Sequence, residues 1–187
     1  MKNLSIINDL SAIELFDEPF PHVVIKNALE EDLANELTNT FPLDLFSFSR
    51  SNQRIDISAS KAMNIGGINE IWQDFIKYHS SLSFYHDVLG VFKKSFKKEI
   101  FQELSNFSTG VRGVDVHKSN NILLDAQISV NSPVKESSSV RNAHVDNTNK
   151  LFSGLFYLRQ KDDDSIGGDL ELCRWRKSYT KKEKIKF

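Results

Sequence analysis

The spacing of apolar residues changes period once along this chain, near Gly110, and that change limits what the chain can fold into. Before it, apolar side chains recur at helical intervals; after it, they alternate. In ALEEDLANELTNTFP, Leu29, Leu33 and Leu37 fall on one helical face, Glu30, Glu31 and Asp32 crowd the first turn, and Pro42 stops the helix. Residues 68–80 repeat the pattern with Ile68, Ile71, Trp72, Phe75 and Ile76 on one face. Residues 82–107 read as one longer helix with Phe84, Val88, Val91, Phe92, Phe96 and Ile100 inward. Ahead of these helices, PFPHVVIKN predicts a short strand at Val23, Val24 and Ile25, and the Ser- and Asn-rich stretch 43–66 reads as loop with room for one short strand. Beyond Gly110, NILLDAQISVN alternates and predicts a strand over 122–130. Further strands are expected near 153–159 and 169–175, on either side of a DDDSIGG turn. A helical first half and a β second half give an α+β class, with helices packed on one face of an antiparallel sandwich or barrel.

The length of 187 residues favours one domain with a real core, 1–187, in which 1–110 is a mainly helical buttress and 111–187 supplies the β core. The net charge of -1 provides no global field for nucleic acid or an anionic membrane, so neither is expected as a partner. Charge is nonetheless uneven. Lys93, Lys94, Lys97 and Lys98 cluster in the second half of the long helix, where a solvated outer face is the plainer reading than a nucleic-acid patch. The stretch from Arg174 to Phe187 holds seven Lys or Arg against one Glu. Cys173 is the single cysteine, expected as a small apolar filler, and a chain without an internal disulfide suits a reducing cytoplasm. The opening MKNLSIINDLSAIELFDEPF is interrupted by acidic residues and lacks the apolar core of a signal peptide, and no run reaches the roughly 20 apolar residues of a membrane helix. A cytoplasmic location is therefore expected.

Chemistry concentrates in HVDNTNKLFSGLFYLRQKDDDSIGGDLEL, residues 144–172. On an extended strand, residues two apart project from the same face, so His144 and Asp146 point together. An imidazole nitrogen beside a carboxylate oxygen, with other positions left open, suits Fe(II) in the arrangement of two histidines and one carboxylate. The third donor, another His, must come from elsewhere. H-x-D by itself is a weak signal, and the apolar strand and double glycine that follow it add context.

The combined run HVDN, SGLFYLR and GGDLEL resembles the Fe(II)- and 2-oxoglutarate-dependent dioxygenases, in particular their prolyl-4-hydroxylase-like branch. PFPHVVIKNALEEDLANELTNTFP resembles the opening strand and helix of bacterial and phage members. The likeness runs from about residue 19 to 175 and is most specific over 125–172. It implies a double-stranded β-helix, or jelly roll, buttressed by helices. It also implies hydroxylation of a substrate C–H bond with Fe(II), with 2-oxoglutarate as cosubstrate and ascorbate as an optional addition. Carried over by position, His144 and Asp146 match the first two iron ligands. Tyr157 matches a tyrosine that contacts the far carboxylate of 2-oxoglutarate, and Ser153 a hydroxyl residue of the same pocket. Alternation on the preceding strand offers Gln127 and Asn131 as further cosubstrate contacts, and Arg141 is the candidate substrate contact. Plainer readings stand beside these: Tyr157 as a core aromatic, Ser153 as a small strand residue, Arg141 as a solvated loop residue. Gly167 and Gly168 form a turn on any reading. His22, His79, His86 and His117 match nothing in the pattern, and His79 and His86, flanking the junction of two helices, are expected as surface or helix-end residues.

The sequence departs from the resemblance at one point. The family's third ligand is a His several dozen residues after H-x-D, closely followed by a basic residue that grips the 2-oxoglutarate carboxylate. No His follows His144 here, and Arg159, Arg174 and Arg176 lie on the wrong strands to replace the anchor. Three explanations are open: a C-terminally truncated product, one half of a split enzyme complemented by a second chain, or a short non-catalytic binding or assembly module. A half barrel leaves strand edges unpaired, which favours an oligomer or a complementing partner. Either way, the chain as given is expected to hold Fe(II) weakly and not to turn over 2-oxoglutarate. The substrate, a small molecule or a peptide side chain, stays open.

Overall fold

The apolar faces read from the sequence meet in two separate clusters. The structure is a computed structural model that describes residues 2–10, 13–134, 136, 143–160, 162–164, 166 and 168–174, with the backbone of 183–186. It is a mixed α and β architecture. Among the described residues there are five α-helices: α1 (Glu31–Asn39), α2 (Ala59–Ala62), α3 (Glu70–His79), α4 (Leu82–Val91) and α5 (Lys98–Ser105). The strands are short: β1 (Leu15–Phe16), β2 (His22–Val23), β3 (Arg54–Ile57), β4 (Thr109–Val111), β5 (Ile122–Leu124), β6 (Ile128–Asn131), β7 (Glu171–Arg174) and β8 (Glu183–Lys186).

The first cluster gathers Leu33 and Leu37 of α1, Ala59 and Ala62 of α2, and Trp72, Phe75 and Ile76 of α3 over Ile57 and Ile128 of the β3–β6 pair. Trp72 stands edge-on to Phe41 and Phe75, and its indole N–H donates to the Leu37 carbonyl at 3.0 Å, so the ring is buried with its polar atom satisfied. The second cluster sets Tyr85 and Leu89 of α4 against Leu104 of α5 and Leu124 of β5, with Phe152 packed onto it. The Tyr85 hydroxyl donates to the Leu104 carbonyl at 2.9 Å. Side chains of Asn69 and Ser81 accept from backbone N–H groups at the starts of α3 and α4, fixing where each helix begins.

Several expectations about elements change, beginning with the strand at 23–25, which forms as β2 at His22–Val23. The long helix over 82–107 is two helices: it ends after Val91, and a 3-10 turn at Lys93–Ser95 intervenes before α5 begins at Lys98. Phe96 still reaches the second cluster from that break, but Ile100 comes out 44% exposed, because the break rotates α5 relative to the face counted through α4. The strand over 122–130 is two strands. Asp125 ends the first by accepting from the Ala59 N–H at 2.9 Å and from the Gln127 side chain at 2.7 Å. β5 then pairs in parallel with β4, whereas β6 pairs antiparallel with β3. The two halves are consequently not separate layers, since β3 from the Ser- and Asn-rich stretch carries the partner of β6.

The expected strand over 153–159 forms no ladder among the described residues. Its side chains alternate nonetheless. Phe152 packs on the second cluster, Phe156 lies 5.8 Å from Phe75, and Leu158 packs on the first cluster, while Ser153, Leu155 and Tyr157 face outward. The expected strand near 169–175 is β7, antiparallel to β8, with the free Cys173 half-buried in it. Gly168 takes a positive φ of 80° in the turn before it, a region glycine enters without steric cost; Gly167 lies outside the described residues. The sheets are two-stranded and no closed barrel is present among the described residues. No helix among them is long and apolar enough to cross a membrane.

Candidate metal centre

His144 and Asp146 lie in an irregular segment and not on the strand expected to carry them. The His144 Nε2 stands 3.5 Å from Asp146 Oδ1. Adjacent donors at right angles on an ion with bonds of about 2.1 Å are separated by about 3 Å, so the pair stands close to two neighbouring coordination positions. Both side chains are accessible to an incoming ion, at 48% and 42% exposure.

The next residues bend the chain back over this carboxylate. Asn147 Oδ1 accepts from the Asn149 N–H at 3.0 Å, and the Asn147 carbonyl accepts from the Lys150 N–H at 3.0 Å, a local turn of the kind Asn favours. Phe152, anchored on the second cluster, fixes the chain leaving that turn. As a result Lys150 Nζ reaches Asp146 Oδ2 at 3.0 Å and the Ser153 hydroxyl donates to the same oxygen at 2.7 Å. The Ser153 hydroxyl, and then the Lys150 ammonium, hold the Asp146 carboxyl below the usual carboxylate range against a smaller opposing effect of desolvation. Asp146 is therefore an anion at neutral pH, with Oδ1 turned toward His144 and Oδ2 occupied by Ser153 and Lys150.

Comparison with protein-family models, curated proteins and solved structures found no match to this chain.

Of the other candidate residues, Ser153 is in contact with this pair. Tyr157 shares the outward side of the same segment and is 64% exposed, so it is not a core aromatic. The Gln127 side chain is directed to Asp125, and Asn131 sits opposite Arg54 in the β3–β6 ladder. Arg141 lies outside the described residues. No group of three or more His, Cys, Asp or Glu side chains converges into a metal-holding cluster among the described residues. The donors that fit a metal here are thus His144 and Asp146.

Lys150 is the residue that reading the sequence for ligands passes over. Its signal was present: the D-N-T-N-K run combines a turn-forming Asn with a cation four residues after the carboxylate. His79 is the helix-end residue expected, the last of α3, and it is buried at 8% exposure. Its Nδ1–H donates to the Phe75 carbonyl at 2.7 Å and its Nε2 accepts from the Ile6 N–H at 3.4 Å, which ties the N-terminal segment to the helices. His22 is buried too, whereas His86 and His117 are exposed.

Proposed function

We propose that His144 and Asp146 are two ligands of an Fe(II) site in a 2-oxoglutarate-dependent oxygenase lineage, built on jelly-roll strands of which this chain supplies a part. The observation that carries the reading is the 3.5 Å approach of an imidazole nitrogen and an ionised carboxylate oxygen, both open to solvent. Two further features support it. The 151–158 segment has strand-like alternation without ladder neighbours among the described residues, where a jelly roll would place them. Ser153 and Tyr157 share the outward face of that segment, where a cosubstrate pocket beside the metal would use both.

Bound iron would supply the redox chemistry that couples oxidative decarboxylation of 2-oxoglutarate to hydroxylation of a C–H bond. The chain's own contribution is the geometry of two donors. Ser153 fixes the carboxylate rotamer through Oδ2 and so turns Oδ1 toward His144. No His follows His144 in this sequence, so the matched residues supply two of the three iron donors and no basic anchor for the cosubstrate.

The test is an anaerobic Fe(II) titration followed by an assay for succinate. The purified chain holds Fe(II) weakly, His144→Ala and Asp146→Ala each weaken binding by about tenfold or more, and no iron-dependent succinate forms. Succinate formation by the 187-residue chain alone would overturn the incomplete-site reading. Binding indifferent to both substitutions would overturn the site itself.

A second reading, a non-catalytic binding or assembly module, is favoured by the exposed apolar side chains Val145, Leu155 and Tyr157 around the pair. In that case partner binding survives replacement of both His144 and Asp146.

A further inference from the structure

The two oxygens of Asp146 are treated differently by their surroundings. Oδ1 faces His144 at 3.5 Å; Oδ2 accepts from the Ser153 hydroxyl at 2.7 Å and from the Lys150 ammonium at 3.0 Å. Ser153 is a neutral donor that orients the carboxylate. Lys150 also orients it, but brings a full positive charge to the group that would receive a divalent cation. The turn at Asn147 holds the backbone of residue 150 where the Lys150 ammonium reaches Asp146.

We propose that Lys150 is a tethered counter-cation of the His144–Asp146 pair: it restricts Asp146 to coordination through Oδ1 alone and competes with divalent metal for the carboxylate charge. The inference rests on the reading of His144 and Asp146 as metal donors. Lys150 is a positioning and tuning residue and ligates nothing itself. Its charge sets how tightly the site holds metal in the incomplete state, and a donor or anion that draws Lys150 away raises the affinity. An exposed ion pair is screened by salt, so the competition is strongest at low ionic strength.

The experiment measures Mn(II) binding from the loss of the free-ion paramagnetic resonance signal. It compares the unmodified chain with Lys150→Gln, Lys150→Arg, Ser153→Ala and the His144→Ala/Asp146→Ala double variant, at low and at high salt. Removing the charge in Lys150→Gln tightens Mn(II) binding by about threefold to tenfold at low salt, and the gain shrinks as salt screens the ammonium. Lys150→Arg restores the original affinity. Ser153→Ala does not tighten binding, because it removes orientation without removing charge. A structural role for Lys150 would not produce a salt-dependent gain. Equal or weaker binding by Lys150→Gln, with binding still lost in the double variant, overturns the role of Lys150 and leaves the site intact. Binding retained by the double variant, or absent from both the unmodified chain and Lys150→Gln, overturns the site and the inference together.

Discussion

At the residue scale, two titratable groups are set by their neighbours in opposite circumstances. Asp146 is half-exposed and acquires its low proton affinity from Ser153 and Lys150, contacts made by a turn. His79 is enclosed by Phe75, Tyr78 and Phe84, and burial pushes its imidazole down to about 4, against the smaller opposing effects of the Phe75 carbonyl and the Asp87 charge. The folded state keeps His79 neutral while the unfolded chain binds a proton from its ordinary value of 6.5 downward. Its contribution to stability is therefore complete above about pH 6.5 and is lost as pH falls toward 4, a change on the order of 3 kcal/mol. Urea unfolding at a series of pH values should show this slope in the unmodified chain and a shallower one in His79→Gln. Identical slopes would show that His79 does not couple folding to pH. Neither environment was legible in the sequence. The position of His79 at a helix end was visible, but its burial follows from the N-terminal segment docking over it through Ile6, a contact between residues 73 apart.

At the scale of elements, what could be read was the local periodicity. Leu33 and Leu37 of α1, and Trp72, Phe75 and Ile76 of α3, are buried as their spacing required. The errors lie where a tertiary contact interrupts a pattern that is locally continuous. Asp125 ends β5 because its carboxylate caps the start of α2, 66 residues away in sequence, and alternation through 122–130 contains no sign of that partner. The break between α4 and α5 falls at a run of lysines whose exposure was expected, and Lys93 lies over the Phe101 ring at 5.5 Å. Gly110 illustrates a demand invisible in the pattern. A Cβ there would lie 2.4 Å from Asn120 Nδ2 and 2.7 Å from Asp115 Cβ, because the 111–121 loop closes back over β4. Gly110→Ala is expected to destabilise the chain by about 1–3 kcal/mol through this overpacking. Gly154→Ala, where nothing lies within 4 Å, should be nearly neutral, within about 0.5 kcal/mol. Denaturant midpoints of the two variants check the contrast, and equal effects would contradict the close packing at β4.

At the scale of the whole molecule, two clusters of helix and strand residues hold the buried apolar contacts, whereas the segment carrying the candidate metal pair is exposed. Phe152 and Leu158 pack that segment against the two clusters, and the pair ahead of it is exposed to solvent. The two-residue spacing of H-x-D was legible, but the strand expected to carry it was not: the described segment is irregular, and the 3.5 Å approach of His144 to Asp146 is made there. The expected jelly roll is not seen among the described residues, where the strands pair only in twos; barrel closure depends on partner strands that a local pattern does not encode. The central claim is that metal binds at this one pair. The most direct measurement is the set of imidazole NMR signals of the five histidines during addition of substoichiometric Mn(II). The account predicts that His144 broadens first and most strongly, ahead of His22, His79, His86 and His117, and that Asp146→Ala abolishes this order. Broadening centred on His86 or His117, or none at His144, would contradict it.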